Sequence, residues 1–235
     1  MSSLYNNYIY QPLLHVLVFL YQHFSFHDLG IAIVLLTIIV RIILFPLFHK
    51  GAKDQAIMQK IAPKLKEIQI RHKDNKEKQV QETMALYREH KVNPFSQFLL
   101  LIIQLPILIA LFKIFSKGFQ EIQNLHPYFL GFIDLTKPNI IIVLAAAAAQ
   151  FIQAKLTLPK TDKQSKNLST AERVSRQMVF IGPIFVVVVF LQFPSALGLY
   201  WLTFSVFSVI QQIIINKQLN IEQELKKEGK KMGIE

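Results

Sequence analysis

The chain has 235 residues, of which 52% are hydrophobic and none is cysteine, and its formal net charge is +11. This composition excludes an ordinary soluble domain, because the apolar residues are gathered in long runs. The lack of cysteine excludes disulfides, thiolate metal sites and lipid-modified cysteine within this sequence. Five runs are long enough, or nearly so, to cross a bilayer, which predicts an all-α membrane protein with five transmembrane helices. They are residues 29–48, 94–115, 139–156, 178–193 and 195–215.

Residues 1–28 are predicted to form an external segment with an amphipathic helix at the outer interface of the membrane. The apolar run at residues 12–24 contains His15 and is too short to span, so it suits a helix that lies in the interface plane. Asp28 and Gly30 predict a break between this helix and the first span.

Arg41 is the only charged residue in the first span, residues 29–48. An arginine inside such a segment costs about 2.5–3.5 kcal/mol on insertion scales, so a chain that keeps it is expected to use it. The alternative is a side chain that snorkels to the headgroups, since Arg41 lies seven residues from the end of the span. No Asp or Glu occurs in the five spans to pair with it. Because a buried, unpaired guanidinium is very costly, water is expected to reach Arg41 through a positively charged cavity.

Residues 49–93 are predicted to form a helical hairpin in the cytoplasm. Apolar residues recur there every three or four positions, in two runs separated by a turn at Asp74-Asn75. Pro63 is expected to kink or restart the first helix. The apolar seam between the helices is thin, so the hairpin is expected to be mobile and open to partners. Its members are Ile57, Ile61, Leu65 and Ile68 in the first helix and Val80, Met84 and Tyr87 in the second.

Positive charge is concentrated in three segments between or after the spans. Residues 49–93, 155–176 and 216–235 hold 11, 6 and 5 Lys or Arg. The segments predicted to lie on the other side of the membrane hold two Lys or Arg in total. This bias places the N-terminus outside and the C-terminus in the cytoplasm, which requires an odd number of spans, and it argues against DNA binding.

Spans two to five then occupy residues 94–217, with a polar loop at 155–176. Residues 218–235 form a cytoplasmic helical tail that either contacts the ribosome or targeting machinery or only enforces topology.

Polar side chains occur at helical spacing inside the later spans. Gln97 and Gln104 lie seven residues apart and Gln150 and Gln153 three apart, so each pair shares a helix face. Lipid cannot satisfy such groups, so they are expected to face one another or water. Any single glutamine in a span more commonly forms a hydrogen bond to a neighbouring helix, but that interpretation leaves the unpaired arginine unexplained. The predicted groove is lined by Arg41, Gln97, Gln104, Gln150, Gln153, Tyr200 and Trp201.

No pattern of a known catalytic centre occurs in the sequence. There is no His-Glu-x-x-His, no Gly-x-Ser-x-Gly and no Walker loop, and no Asp, Glu or His lies inside a span. The sequence therefore predicts neither an enzyme nor a cofactor or metal site.

Four stretches of the sequence resemble the YidC/Oxa/Alb family of membrane protein insertases. They are GIAIVLLTIIVRIILFPL (30–47), MALYREHKVNPFSQFLLLIIQLPILIALF (84–112), FIQAKL (151–156) and FPSALGLYW (193–201). Each alone is a weak apolar pattern, but together, in the family's order and spacing, they are highly specific. The resemblance implies five spans, an outer amphipathic helix, a cytoplasmic hairpin and a groove open to the cytoplasm and to lipid.

The resemblance also implies roles for individual residues. Arg41 matches the family's groove arginine, Gln153 the glutamine of its third span and Trp201 an aromatic residue of its last span. Gln104 lies in the matching IIQLPI stretch, and Gln150 is added here from helical spacing alone. With the first span beginning by residue 29, a short bacterial form is expected, without the large external domain, the lipoprotein cysteine or a cleavable signal peptide.

The favoured hypothesis is an insertase of the bacterial cytoplasmic membrane that acts without nucleotide hydrolysis. Its expected partners are nascent membrane proteins and the lipid bilayer, with the Sec translocon, the ribosome and the signal recognition machinery as further candidates. A small anion transporter or channel with Arg41 as its binding charge is the alternative, although the odd span count and the lack of an inverted repeat argue against it. An intramembrane enzyme ranks last, because no nucleophile–base pair is present.

Overall fold

The computed structural model of the protein describes residues 3–116, 125–158 and 170–231, and it is built almost entirely of helices. In chain order the elements are α1 (Ser3–Tyr5), a π-helical turn (Asn6–Tyr10), α2 (Gln11–His23), α3 (Leu29–Ile43), α4 (Phe45–Arg71), α5 (Lys76–Glu89), α6 (Ser96–Ser116), β1 (Tyr128–Phe129), β2 (Ile133–Asp134), α7 (Ile140–Thr157), α8 (Thr170–Phe190) and α9 (Ser195–Lys231).

In the part of the chain that the structure describes, three helical segments are long and apolar enough to cross a membrane: Phe98–Ser116, Ile140–Thr157 and Ser195–Glu222. A fourth candidate is the bent pair of α3 and α4, which passes the same test only when its two helices are taken together. The apolar part of α8, Val179–Phe190, is shorter. The protein is therefore mostly helical with three or four candidate spans, and the count of five stays a prediction.

The first predicted span, residues 29–48, is divided between two helices. Helix α3 ends at Ile43, and α4 leaves it at an angle of 72°. Pro46 explains the bend, because its ring nitrogen carries no hydrogen to continue the helical ladder and proline is tolerated in the first turn of a new helix. The bend brings Phe48 of α4 back toward the end of α3.

Helices α4 and α5 pack as a pair, with a turn at residues 72–75 and the Asn75 side chain capping α5. Pro63 lies inside α4 without ending it. The predicted seam is confirmed in α5 for Tyr87, which packs against the cluster of Ile61 and Leu86. It is wrong for Val80 and Met84, which are 57% and 42% exposed. Leu86 is two residues beyond Met84, about 200° further around the helix, so packing Leu86 turns Met84 outward.

The first turns of α4 belong to the helix bundle. Ala56 packs with Ile215 and Leu219 of α9. The Ser96 hydroxyl at the start of α6 donates to the buried Asp54 carboxylate at 2.5 Å. Only the part of the α4–α5 pair beyond these contacts projects from the bundle.

The later helices also run beyond their predicted ends. Helix α8 begins at Thr170, inside the region predicted as a polar loop, and residues 169–172 have the Ser-x-x-Glu pattern that typically begins a helix. Helix α9 continues into the predicted tail as far as Lys231, so that the whole helix has 37 residues and is about 55 Å long at 1.5 Å per residue. This length exceeds the roughly 30 Å of a hydrocarbon core, so its C-terminal turns project from the apolar region.

A short β-hairpin ties together the first turns of α3 and α9. Asp28 accepts from the Ile31 amide at 2.9 Å, which caps α3, and from the Leu130 amide of the β-hairpin at 2.6 Å. The amide of Ser195, which begins α9, donates to the Lys137 carbonyl at 2.9 Å. The predicted break before the first span thus coincides with a capped helix start.

The turn after β2 is held by its own side chains. The Thr136 hydroxyl and amide donate to the Asp134 carboxylate at 2.6 and 2.9 Å. These hydrogen bonds, with a smaller contribution from Lys137, lower the pKa of Asp134 below its ordinary value.

The close approach of Gly30 to Phe129 provides a test of the contact between the β-hairpin and α3. A Cβ at Gly30 would lie 2.1 Å from the Phe129 ring, so Gly30→Ala should lower the free energy of unfolding by about 1–3 kcal/mol. Alanine's better helix propensity, about 1 kcal/mol, offsets only part of this. Thermal melting in detergent measures the loss. In a double variant with Phe129→Ala, a loss equal to the sum of the two single losses would contradict the contact.

Candidate functional site

Arg41 lies in the last turn of α3, where α3 packs against α9. Its side chain is 2% exposed, and its Nη2 donates to the Gln211 Oε1 at 2.7 Å. The position suits a cation, because the last carbonyls of a helix carry partial negative charge. No Asp or Glu forms an ion pair with Arg41 in the part of the chain that the structure describes.

Three phenylalanine rings surround the Arg41 guanidinium. Its central carbon lies 4.4 Å from the ring centre of Phe48, 4.5 Å from that of Phe204 and 4.8 Å from that of Phe207. Cation–π contacts of this kind are worth about 0.5–1 kcal/mol when exposed and about 2 kcal/mol when desolvated. The arginine is thus enclosed by rings and one amide in this conformation, where the sequence had suggested an open, wet cavity.

Gln104 and Tyr200 join α6 to α9. Both side chains are buried, and the Gln104 amide donates to the Tyr200 hydroxyl. The hydrogen bond removes two polar groups from contact with lipid, which could satisfy neither. Two predicted groove residues therefore meet each other.

Gln150 and Trp201 form the corresponding link between α7 and α9. The Trp201 indole donates to the Gln150 Oε1 at 3.1 Å. Gly182 of α8 lies so close that a Cβ there would be 2.9 Å from the Gln150 amide nitrogen. Three helices therefore converge on the Gln150 side chain.

Phe204 connects these links to the arginine. Its ring stacks on Trp201 at 5.7 Å, lies 6.3 Å from the Tyr200 ring, and meets Phe48 edge-on at 5.7 Å. Together with its contact to Arg41, this makes one continuous cluster out of residues from five helices. We call this set the Arg41 cluster; its members are Arg41, Phe48, Gln104, Gln150, Tyr200, Trp201, Phe204, Phe207 and Gln211.

The structure brings together five of the seven predicted groove residues. Gln153 is half-buried on α7, one turn beyond Gln150, and the side chain of Gln97 lies outside the described residues. Phe48, Phe204 and Phe207 were not predicted as site residues, although helical spacing from Tyr200 to Gln211 places two of them on the same side of α9. Gln211 was not among the predicted groove residues either.

The Arg41 cluster provides a buried positive charge, aromatic surface and amide groups, but no nucleophile beside a base. No group of three His, Cys, Asp or Glu that could hold a metal ion occurs among the described residues. Such a site can bind a polar or anionic group inside an otherwise apolar bundle.

Comparison with known proteins decides the family. The family model described as 60Kd inner membrane protein matches residues 2–224. The chain is 37% identical over 209 residues to the membrane protein insertase YidC of Syntrophus aciditrophicus, which covers 88% of this chain and 36% of that protein. It is 34% identical over 224 residues to the YidC of Syntrophobacter fumaroxidans, covering 89% of this chain and 38% of the relative.

The chain belongs to the YidC family. The resemblance seen in the sequence is confirmed, and the chain spans little more than a third of the length of these relatives. Membership of the 60Kd inner membrane protein family and the apolar helices make it a multi-pass protein of the bacterial inner membrane.

The link between Gln104 and Tyr200 generates a test of packing at the site. Tyr200→Phe removes the acceptor of the Gln104 amide and should lower the free energy of unfolding by about 1 kcal/mol. Melting in detergent, followed by circular dichroism, measures the change. The matched control is Tyr8→Phe, because Tyr8 is exposed. Equal changes in the two variants would show that the Tyr200 hydroxyl contributes no buried hydrogen bond.

Proposed function

We propose that this protein is an insertase that moves polar segments of newly made membrane proteins across the bilayer through a positively charged groove, without nucleotide hydrolysis. The observation that carries the proposal is the buried guanidinium of Arg41, which no described acid neutralises. Relatives that match most of this chain are named membrane protein insertases, which supports the same conclusion.

The proposed mechanism is differential solvation. A polar or acidic segment pays a large free-energy penalty for crossing hydrocarbon, and a groove that reaches part-way into the membrane shortens that path. Arg41 adds Coulombic attraction, which is stronger inside a protein than in water. The apolar helix of the substrate then leaves sideways into lipid, where burial of its surface at about 25 cal/mol per Å² drives the reaction.

The groove proposed here opens to the cytoplasm and to lipid and is walled by α3, α6, α7 and α9. Gln104, Gln150 and Trp201 supply polar groups on its walls, and we extend the groove to Gln153 and Gln97 by helical spacing. Because Phe48 and Phe204 enclose Arg41 in this conformation, substrate entry requires the rings to move aside.

We propose five spans with the N-terminus outside and the C-terminus in the cytoplasm, and α8 as the fourth span. The excess of Lys and Arg in residues 49–93, 155–176 and 216–235 supports this orientation. The helix α2 is then the outer interfacial helix, and the α4–α5 pair and the end of α9 project into the cytoplasm. These projecting parts are the proposed contacts for nascent chains, with the ribosome, targeting machinery and Sec translocon as further partners.

Reconstitution in liposomes tests the function and the role of Arg41. The purified protein should insert a single-span substrate with an acidic translocated tail, without nucleotide. Arg41→Ala should reduce this insertion about tenfold or more, the equivalent of about 1.4 kcal/mol of lost attraction. Arg41→Lys should retain much of the activity, because the requirement is for charge.

The matched control substrate carries a neutral tail of the same length. Arg41→Ala should affect it far less, and equal loss for both tails would contradict attraction by the arginine. A protein that inserts neither substrate but lets a labelled anion cross would instead be an anion transporter or channel.

The projecting part of the α4–α5 pair generates a separate prediction. Replacing residues 59–90 by a short Gly/Ser linker should leave the bundle folded, because the anchoring residues Lys53, Asp54 and Ala56 remain. Insertion should fall, since the segment is proposed to guide the substrate. Melting in detergent and liposome insertion are measured on the same preparation. If the shortened protein cannot be purified in a folded state, the pair is structural and does not serve substrates.

A further inference from the structure

Gln211 holds the guanidinium of Arg41 across the interface between α3 and α9. Its side chain is 3% exposed, and its amide oxygen accepts the hydrogen bond from Arg41 Nη2. A guanidinium has only donors, so the amide oxygen must face Arg41. The amide nitrogen of Gln211 therefore makes no hydrogen bond to Arg41.

Two buried donors of this pair have no acceptor among the residues that the structure describes. Neither Arg41 Nε nor Gln211 Nε2 makes a hydrogen bond to any atom in the described ranges. Buried side-chain donors are nearly always paired, so each exception calls for an explanation. Both belong to the two groups joined by the 2.7 Å hydrogen bond, which places them at one location in the bundle.

We infer that Gln211 is a second binding residue of the groove, which presents Nε2 beside Arg41 Nε to a carboxylate of the translocating segment. The inference rests on the insertase function proposed above and adds a specificity-determining residue to it. A carboxylate fits because it accepts several hydrogen bonds and balances the single positive charge. Gln211 fixes the guanidinium through its oxygen and contributes a donor through its nitrogen.

A purely structural role for Gln211 makes the opposite prediction for one substitution. If Gln211 only satisfies Arg41, Gln211→Leu should lower the melting temperature but keep the preference for acidic tails, because the charge of Arg41 remains. If Gln211 binds substrate, Gln211→Leu removes the donor and lowers that preference. Gln211→Glu neutralises Arg41 from within under either role, so this variant should be folded but unable to prefer acidic tails, and it reports on the charge of Arg41.

The test measures the ratio of liposome insertion for acidic and neutral tails. Gln211→Leu should lower this ratio about tenfold, the size expected for one hydrogen bond to a charged group, and Gln211→Glu should lower it further because it also cancels the charge of Arg41. Two neighbours on α9 serve as controls. Gln212 is equally buried but its amide donates to Asn216, and the Ser208 hydroxyl donates to its own helix. Gln212→Leu and Ser208→Ala should keep the wild-type ratio.

The outcomes separate this inference from the proposed function. Wild-type protein that inserts neither tail overturns the insertase function itself. Wild-type protein that prefers acidic tails, with the same preference in Gln211→Leu, shows that Gln211 is only a structural partner and overturns the inference. Loss of the ratio in both Gln211 variants, with neutral-tail insertion and melting retained, supports it.

Discussion

The charge of Arg41, buried in an apolar helix bundle with no acidic partner among the described residues, is the constraint on which the arrangement of the site depends. A guanidinium in such a place needs polarisable or hydrogen-bonding surroundings, because hydrocarbon offers it nothing. Rings from α4 and α9 and the amide of Gln211 meet this need. Since none of these groups carries a negative charge, the site keeps its positive charge, whereas an Asp or Glu would have cancelled it.

Helix α9 organises the site because it contacts every other wall. Tyr200 reaches α6, Trp201 reaches α7, and Gln211 reaches α3, all at helical spacing along one helix. Phe204 lies between these contacts and touches the arginine. Amide and aromatic side chains thus serve two purposes, joining helices where lipid gives no hydrophobic drive and lining the site with polar atoms.

The bend after α3 links the site to the projecting α4–α5 pair. Pro46 ends one helix and begins another, so Phe48 returns to cover Arg41 while the same helix continues outward past Ala56. The salt bridge between Lys53 and Glu222, at 2.8 Å, holds this helix against α9. A single continuous helix therefore carries one ring of the Arg41 cluster at its start and the charged, partly exposed segment at its end.

Much of this protein could be predicted from its sequence, because length, hydrophobicity and charge are local properties. The apolar runs predict spans, of which three or four are candidates among the described residues. Arg41 and one glutamine of each co-facial pair, Gln104 and Gln150, lie in the Arg41 cluster. Periodicity alone assigned Val80 and Met84 to a seam that packing places at Leu86, since two apolar stripes on one helix look alike until a partner helix chooses between them.

Only the tertiary structure decided what surrounds the charge. Arg41 and Gln211 lie 170 residues apart, and no local pattern pairs them. Phenylalanines in a membrane helix resemble any other lipid-facing residues in sequence, so Phe48 and Phe204 became site residues only when the bend and the contact between α3 and α9 turned them inward. A sequence thus determines which groups must avoid lipid, whereas the packing of distant helices determines which groups satisfy them.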